Sequence, residues 1–313
     1  MHVLLLGSAA GGGFPQWNCW CPSCRTARSD PSAAISRTQS SAAVSADGCR
    51  WFLLNASPDV REQLRWLRGE KIPDTVRHVP VEGVLVTDAE IDHTLGIVLL
   101  REARHLPVYA TLAVQSILDH DSRMLPVTRA FSDVPVTELR LNASVPLRYR
   151  DGSASGLTVE AFAVPAGPPR FATREDEGHT VGLIIREESG PGLMRPGTSC
   201  AFVPGCGGLD AALLARLAQA DALLFDGTFW DDEELIALGI SDRTARQMDH
   251  LPIRGTGGSL EHLASLPCRH RVYTHINNTN PILLEHSPER ELVRQTGVVV
   301  GYDGLRLNVS RGA

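Results

Sequence analysis

No run in this sequence approaches the roughly 20 apolar residues that a helix needs to cross a bilayer, and no long block of lysine and arginine is present. The first absence argues against a membrane span. The second, with a formal net charge of −6, argues against a nucleic-acid or membrane-surface partner. The start, Met1-His-Val-Leu-Leu-Leu-Gly7, lacks the cationic residues of a signal peptide and its apolar run is too short for one, so it reads as a first strand. A disulfide framework is also missing. The cysteines number 7, an odd count with three clustered, which suits metal binding in a reducing compartment, and cytoplasmic is the default expectation. Nor is there a G-x-G-x-x-G: Gly11-Gly-Gly13 has the wrong spacing, and Phe14-Pro15 stands where a helix should start, so a dinucleotide reading is discarded. No internal repeat signals a duplication.

What is present is a globular composition, 43% hydrophobic and 21% charged over 313 residues. Large layered α/β folds can use such a length in one unit, so one domain spanning residues 1–313 is expected. After the first strand, residues 38–44 and 51–55 read as two strands joined by a turn at Asp47-Gly48. A helix opens at Pro58-Asp59-Val60 and runs to about Arg68. Strands follow at 84–86, 108–109, 139–145, 157–164, 180–185, 200–203, 222–225 and 272–274, with helical patterns at 111–120 and 209–220. Val298-Val-Val300 and residues 305–309 suggest a hairpin around Asp303-Gly304. Two successive sets of strands and helices predict a four-layer αββα sandwich, two mixed sheets faced by helices. The loops 165–178 and 187–199 are rich in Pro, Gly and charge; the first is a candidate lid.

The chemistry concentrates in a few places. Thr87-Asp-Ala-Glu-Ile-Asp-His93 follows the apolar Val84-Leu-Val86 and precedes an apolar helix or strand. Asp88, Glu90, Asp92 and His93 there are costly to desolvate unless paired, hydrogen-bonded or metal-bound. The plainer reading has Asp92 capping the segment that follows. Cys19-x-Cys21-x-x-Cys24 can wrap one tetrahedral Zn²⁺, the fourth ligand coming from elsewhere; buried or redox-active thiols are the other reading. Asp92 and His93, Asp226 and His275 lie where strands end, and His250 lies in Met248-Asp-His-Leu-Pro252. Strand ends are where α/β folds collect a site.

Longer stretches carry a resemblance. Gly7-Ser-Ala-Ala-Gly-Gly-Gly-Phe-Pro-Gln-Trp-Asn-Cys19, Asn55-Ala-Ser-Pro-Asp59, Thr87-Asp-Ala-Glu-Ile-Asp-His93, Phe225-Asp-Gly-Thr-Phe-Trp230 and Tyr273-Thr-His-Ile-Asn-Asn-Thr-Asn-Pro281 resemble the PqqB family of pyrroloquinoline quinone (PQQ) biosynthesis, within the metallo-β-lactamase fold superfamily. The resemblance implies the αββα fold. In the superfamily motif H-x-H-x-D-H, two histidines hold one metal and the Asp-His pair a second. Laid on this chain, the two histidine positions are Asp88 and Glu90, while Asp92 and His93 match. A further histidine position falls near Ala166, the bridging aspartate at Cys206, and the last histidine is matched by His275.

The resemblance therefore implies that the second metal site keeps Asp92, His93 and His275. That is the ligand set of mononuclear non-haem Fe(II) centres, and a two-metal hydrolase should not work with it. Related phosphodiesterases and tRNA-processing nucleases use an acid and a Gly-His motif as a proton-donating pair, matched here by Asp226 and His250, with Asp249 where Gly is usual. Phosphodiesterase relatives complete the zinc site with a histidine where this chain has Asn278, a poor zinc ligand. Asp88 and Glu90 are left to hydrogen-bond substrate or a metal-bound water, and Glu90 joins Asp226 and His250 as a catalytic candidate.

The function so implied is iron-dependent hydroxylation of the tyrosine ring of a Glu-Tyr-derived precursor, with structural Zn²⁺ and catalytic Fe²⁺ as cofactors and a small molecule, the PQQ precursor, as partner. Arg61 or Arg170 could meet the acidic substrate. The alternative is a binding or carrier protein for transport of PQQ or its precursor, which a degenerate metal motif favours. A residual phosphodiesterase ranks third. A homodimer is compatible with either leading reading.

Overall fold

The computed structural model describes residues 1–67, 76–188 and 197–309. Two seven-stranded sheets stack face to face. The first contains β1 (His2–Gly7), β2 (Ser41–Ser45), β3 (Trp51–Leu54), β4 (Val81–Leu85), β5 (Val108–Ala110), β6 (Val136–Glu138) and, at its far edge beside β1, β14 (Arg306–Asn308). The second runs from β7 (Ser144–Arg148) through β8 (Ala154–Ala163), β9 (Val181–Glu187), β10 (Ser199–Val203), β11 (Ala222–Asp226) and β12 (His270–Thr274) to β13 (Val299–Val300). Both sheets are mixed. The β14-β1-β2-β3 ladders are antiparallel and the β3-β4-β5-β6 ladders parallel. The second sheet has the same composition, antiparallel from β7 to β10 and parallel from β10 to β13.

The αββα expectation holds, and its cause is visible in the strands. Val3 and Leu5 of β1 face the second sheet, while Leu4 and Leu6 face the outer helices. Ala222 and Leu224 of β11 join the core between the sheets, while Leu223 and Phe225 pack under helices Ala211–Leu217 and Ser259–Ser265. A strand covered on both faces must be apolar at every position, so it reads as an unbroken apolar run.

Some elements differ from the expectation. Val299–Val300 and Arg306–Asn308 are not a hairpin. The former pairs in parallel with β12 and the latter antiparallel with β1, so the chain at Asp303 crosses from one sheet to the other. Of the strand expected over 139–145 only Ser144 and Val145 lie in a strand, the start of β7; residues 139–143 link β6 to β7, which belong to different sheets, and turn residue Asn142 there takes the left-handed φ of 61°. Such a backbone suits asparagine but breaks a strand. The helix expected to reach Arg68 comprises Val60–Gln63 and a 3₁₀ turn, Leu64–Leu67; Arg68 itself, and residues 189–196 of the second predicted loop, lie outside the described residues.

Candidate metal centre

The parallel strands of both sheets deliver their C-terminal ends to one place. Beyond β4, the apolar segment 94–100 is helical: helix Ile91–Leu99 starts at Glu90 and carries Asp92 and His93 in its first turn. Asp92 is not the cap; the cap position is Glu90, whose side chain makes no capping bond. At the end of β12 the backbone of His275 takes φ 54°, a left-handed conformation uncommon for a residue other than glycine. One oxygen or ring nitrogen from each of Asp92, His93 and His275 lies within 4.8 Å of the others. Asp92 Oδ2 is 3.4 Å from His275 Nε2 and 3.8 Å from His93 Nε2. His93 Nε2 is buried with no hydrogen-bond partner, an arrangement that costs roughly 1–3 kcal/mol unless that nitrogen finds a partner, such as a metal ion taking the place of its proton. The three residues fit a divalent ion on the donor set and on that orphaned nitrogen.

Asp88 belongs to this centre in another way than expected. It is buried and turned inward, its oxygens 2.8 Å from His93 Nδ1 and further held by the Thr87 hydroxyl and the Glu90 N–H. It is therefore turned away from any substrate or metal-bound water. A carboxylate on the distal imidazole nitrogen fixes the ring and leaves Nε2 for a metal. Burial works to raise the Asp88 carboxyl, but the His93 charge and hydrogen bond outweigh it and hold it low. For His93, burial works downward, and the Asp88 and Asp92 carboxylates push it up to about 9. Asp92 is depressed despite burial because both imidazoles face it. Glu90 stands exposed at the rim. Desolvation by the surrounding walls and the charges of Asp88 and Asp92 push it up to about 7, against His93 and Arg170.

Next to this trio, Asp226 is fully buried and accepts four bonds, from Cys206 N–H at 2.9 Å, His250 Nδ1 at 2.7 Å, Thr228 N–H at 2.9 Å and Thr228 Oγ1 at 2.6 Å. Its lone pairs are spoken for. Direct proton exchange between Asp226 and a substrate, as the sequence suggests, is thus blocked, and Asp226 acts on His250. Burial works against the His250 charge, and Asp226 raises it. His250 stacks on His275 with centroids 5.4 Å apart, and its Nδ1 is the nitrogen bound to Asp226. Asp249 occupies a left-handed φ of 62°, which explains why glycine is usual there and aspartate tolerated. Cys206, at the expected bridging position, hydrogen-bonds Gly208 O, and burial pushes its thiol up to about 12, so it stays protonated.

Three contributors were missed by sequence reasoning. Gly11 packs so closely that a Cβ there would lie 3.2 Å from Asp92 Oδ2; its signal was the glycine run, set aside once the nucleotide reading failed. Asn55 pairs with Thr87 through both its amide groups. Thr228 touches both Asp226 and His275. The loop 165–178 reaches from one flank of the site to the other: Gly167 approaches Asp249, Arg170 acts on Glu90, and Thr173 is tied to Asp121.

On the other side of His275, Cys19, Cys21 and Cys24 bring their sulfurs within 4.8 Å. Burial and the neighbouring thiols push Cys21 up to about 12, whereas N–H and thiol hydrogen bonds bring Cys19 down against burial. Asn278 lies against them, its side-chain amide nitrogen 3.3 Å from Cys24 Sγ and its carbonyl oxygen 3.5 Å from Cys21 Sγ. Three converging sulfurs fit zinc. No fourth histidine, cysteine or carboxylate joins the cluster among the described residues.

Residues 50–276 match the model of the Beta-lactamase superfamily domain. The chain is 42% identical over 309 residues to coenzyme PQQ synthesis protein B of Methylobacterium radiotolerans, covering 99% of this chain and 100% of that protein. The same protein of Gluconacetobacter diazotrophicus is 41% identical, with 98% and 99% covered. The chain belongs to the coenzyme PQQ synthesis protein B family. A solved structure of the family, Zn²⁺-bound PqqB from Methylobacterium extorquens, superposes with a TM-score of 0.86 at 39% identity, covering 99% of this chain and 100% of that one. A diphosphatase of the PhnP family shares the fold, with a TM-score of 0.66 at 20% identity. The family resemblance and the metallo-β-lactamase fold read from the sequence both stand. Among the described residues, no helix is long and apolar enough to cross a membrane.

Proposed function

We propose that this chain serves PQQ biosynthesis by hydroxylating the tyrosine ring of a Glu-Tyr-derived precursor, with one Fe²⁺ held by Asp92, His93 and His275 and a structural Zn²⁺ held by Cys19, Cys21 and Cys24. The observation that carries the reading is the convergence of one carboxylate and two imidazoles around the orphaned His93 Nε2. Asp88, at a position where a two-metal site needs a histidine, is already consumed by His93. Hydrolysis across two ions is thereby disfavoured, and a mononuclear centre with open positions is favoured. When bound, Fe²⁺ would supply activation of O₂, one oxygen atom entering a ring C–H bond and the other leaving as water with two electrons from an external reductant.

The chain's own groups bind and move protons. His250, oriented by Asp226, offers Nε2 as the proton donor and acceptor to the phenol. Glu90, near neutrality in its pKa, exchanges protons at the rim. Arg170, rather than Arg61, is the cation whose charge reaches Glu90, and it meets a substrate carboxylate. The test is protein purified without oxygen, loaded with Fe²⁺ and supplied with a tyrosine-containing dipeptide, a reductant and isotopically labelled O₂. A product carrying one labelled oxygen is expected. Tight dipeptide or quinone binding that survives metal removal, without product, would favour the carrier, and rapid metal-dependent cleavage of a generic phosphodiester would favour a hydrolase.

A further inference from the structure

We propose that Thr228 is a positioning residue that fixes which ring nitrogen of His275 is free, so that the single carboxylate of Asp226 aligns two histidines. The inference rests on Asp92, His93 and His275 being metal ligands. Thr228 Oγ1 lies 2.6 Å from Asp226 Oδ1, 2.8 Å from His275 Nδ1 and 2.8 Å from the His275 carbonyl oxygen. A hydroxyl has one hydrogen to give. Were it given to His275 Nδ1, two acceptor oxygens would face the Thr228 oxygen with no hydrogen between them, one of them an ionised carboxylate at 2.6 Å. The charged, shorter contact is the stronger bond, so the hydrogen goes to Asp226. The Thr228 oxygen then accepts, and His275 Nδ1 must carry the hydrogen that it donates.

His275 Nε2 is thereby left with its lone pair outward. The 3.4 Å separation from Asp92 Oδ2 is longer than a well-made hydrogen bond and suits two ligands that face a common ion. The other Asp226 oxygen holds His250 Nδ1 at 2.7 Å, so the two stacked imidazoles are oriented from one buried anion, His250 directly and His275 through Thr228. Thr228 is itself pinned: its carbonyl accepts from Asn277 N–H at 3.0 Å and from the Asn280 amide at 3.3 Å.

The test compares Thr228→Ser, which keeps the hydroxyl, with Thr228→Val, which keeps the shape. Nitrogen-15 NMR on the histidine rings, before any metal is added to the second site, reads the tautomer directly. Wild type and Thr228→Ser should show His275 protonated at Nδ1, and Thr228→Val should lose that preference. Co²⁺ titrated into protein already carrying one equivalent of Zn²⁺ should bind Thr228→Val about 10- to 100-fold more weakly and Thr228→Ser close to wild type. An Nε2-protonated His275 in the wild type overturns the proposal whether or not the valine variant folds, as does equal weakening by serine and valine. A wild type with the expected tautomer but no second metal sinks the metal reading and leaves the Thr228 assignment standing.

Discussion

At the scale of single residues, buried charge is managed by local pairing, and Glu234 is the instructive exception. It is buried beside the metal-site loops, accepting from Trp230 N–H at 2.7 Å and from the Thr279 hydroxyl, with no cation paired to it among the described residues. Burial pushes its carboxyl up to about 7 from an ordinary 4.5. The folded state therefore holds a proton that the unfolded state releases. Stability from this group is intact below about pH 4.5 and is lost as pH rises towards about 7, a change on the order of 3 kcal/mol. Glu234→Gln, whose amide keeps one acceptor for Trp230 and gives Thr279 a donor, should flatten that slope in urea titrations between pH 5 and 8; an unchanged slope would refute the assignment. The residues proposed as ligands stood out in the sequence because their types are rare in apolar surroundings and they recur at strand ends. Asp88 was misread, since nothing in the spacing Asp88 to His93 says that the carboxylate turns back onto the ring.

At the scale of elements, helix Ile91–Leu99 positions the centre because the 55–57 turn grips it from outside. Ala56 N–H bonds the His93 carbonyl at 2.7 Å, and Gly96 N–H bonds the Ala56 carbonyl at 2.8 Å. The grip requires a bare Cα: a Cβ on Gly96 would sit 2.4 Å from Ser57 O and 2.6 Å from Ala56 O, both backbone atoms. Gly96→Ala, usually favourable within a helix, should here cost about 2–3 kcal/mol by overpacking and loosen the second metal site along with the fold. Chemical denaturation with metal titration checks it, and a stabilised variant would show that the turn yields. The helix was legible in part from apolar residues at 95, 97 and 98; its partner turn was not, because contact between them is an accident of topology.

At the scale of the molecule, the cysteine cluster ties the first turns of the chain to the segment after β12, with Asn278 lying 254 residues from Cys24 in sequence. The three sulfurs come from six consecutive residues, so a zinc ion there would brace that loop locally, while an ion at Asp92, His93 and His275 would join positions 183 residues apart and bridge the ends of both sheets. Cys21→Ser should remove zinc alone, and His93→Ala should remove the other metal alone, each lowering the melting temperature of the metal-loaded protein. Elemental analysis of each variant reads this, and loss of both metals from either variant would merge the two sites into one unit.

The sequence by itself determined the layered αββα architecture and the cysteine loop, and it marked Asp92, His93 and His275 as candidate ligands. The first two rest on apolar periodicity and on side chains a few residues apart, and such short-range physics is written directly in residue order; His275, 183 residues from Asp92, was marked by its place at a strand end and by the family resemblance. Only the tertiary structure decided that Val299–Val300 and Arg306–Asn308 join different sheets, that Gly11 packs on Asp92, and that Thr228 lies between Asp226 and His275. Those contacts join positions far apart in the chain. Their geometry is fixed by strand register and the packing of two sheets, to which many individually weak interactions contribute and no short motif corresponds.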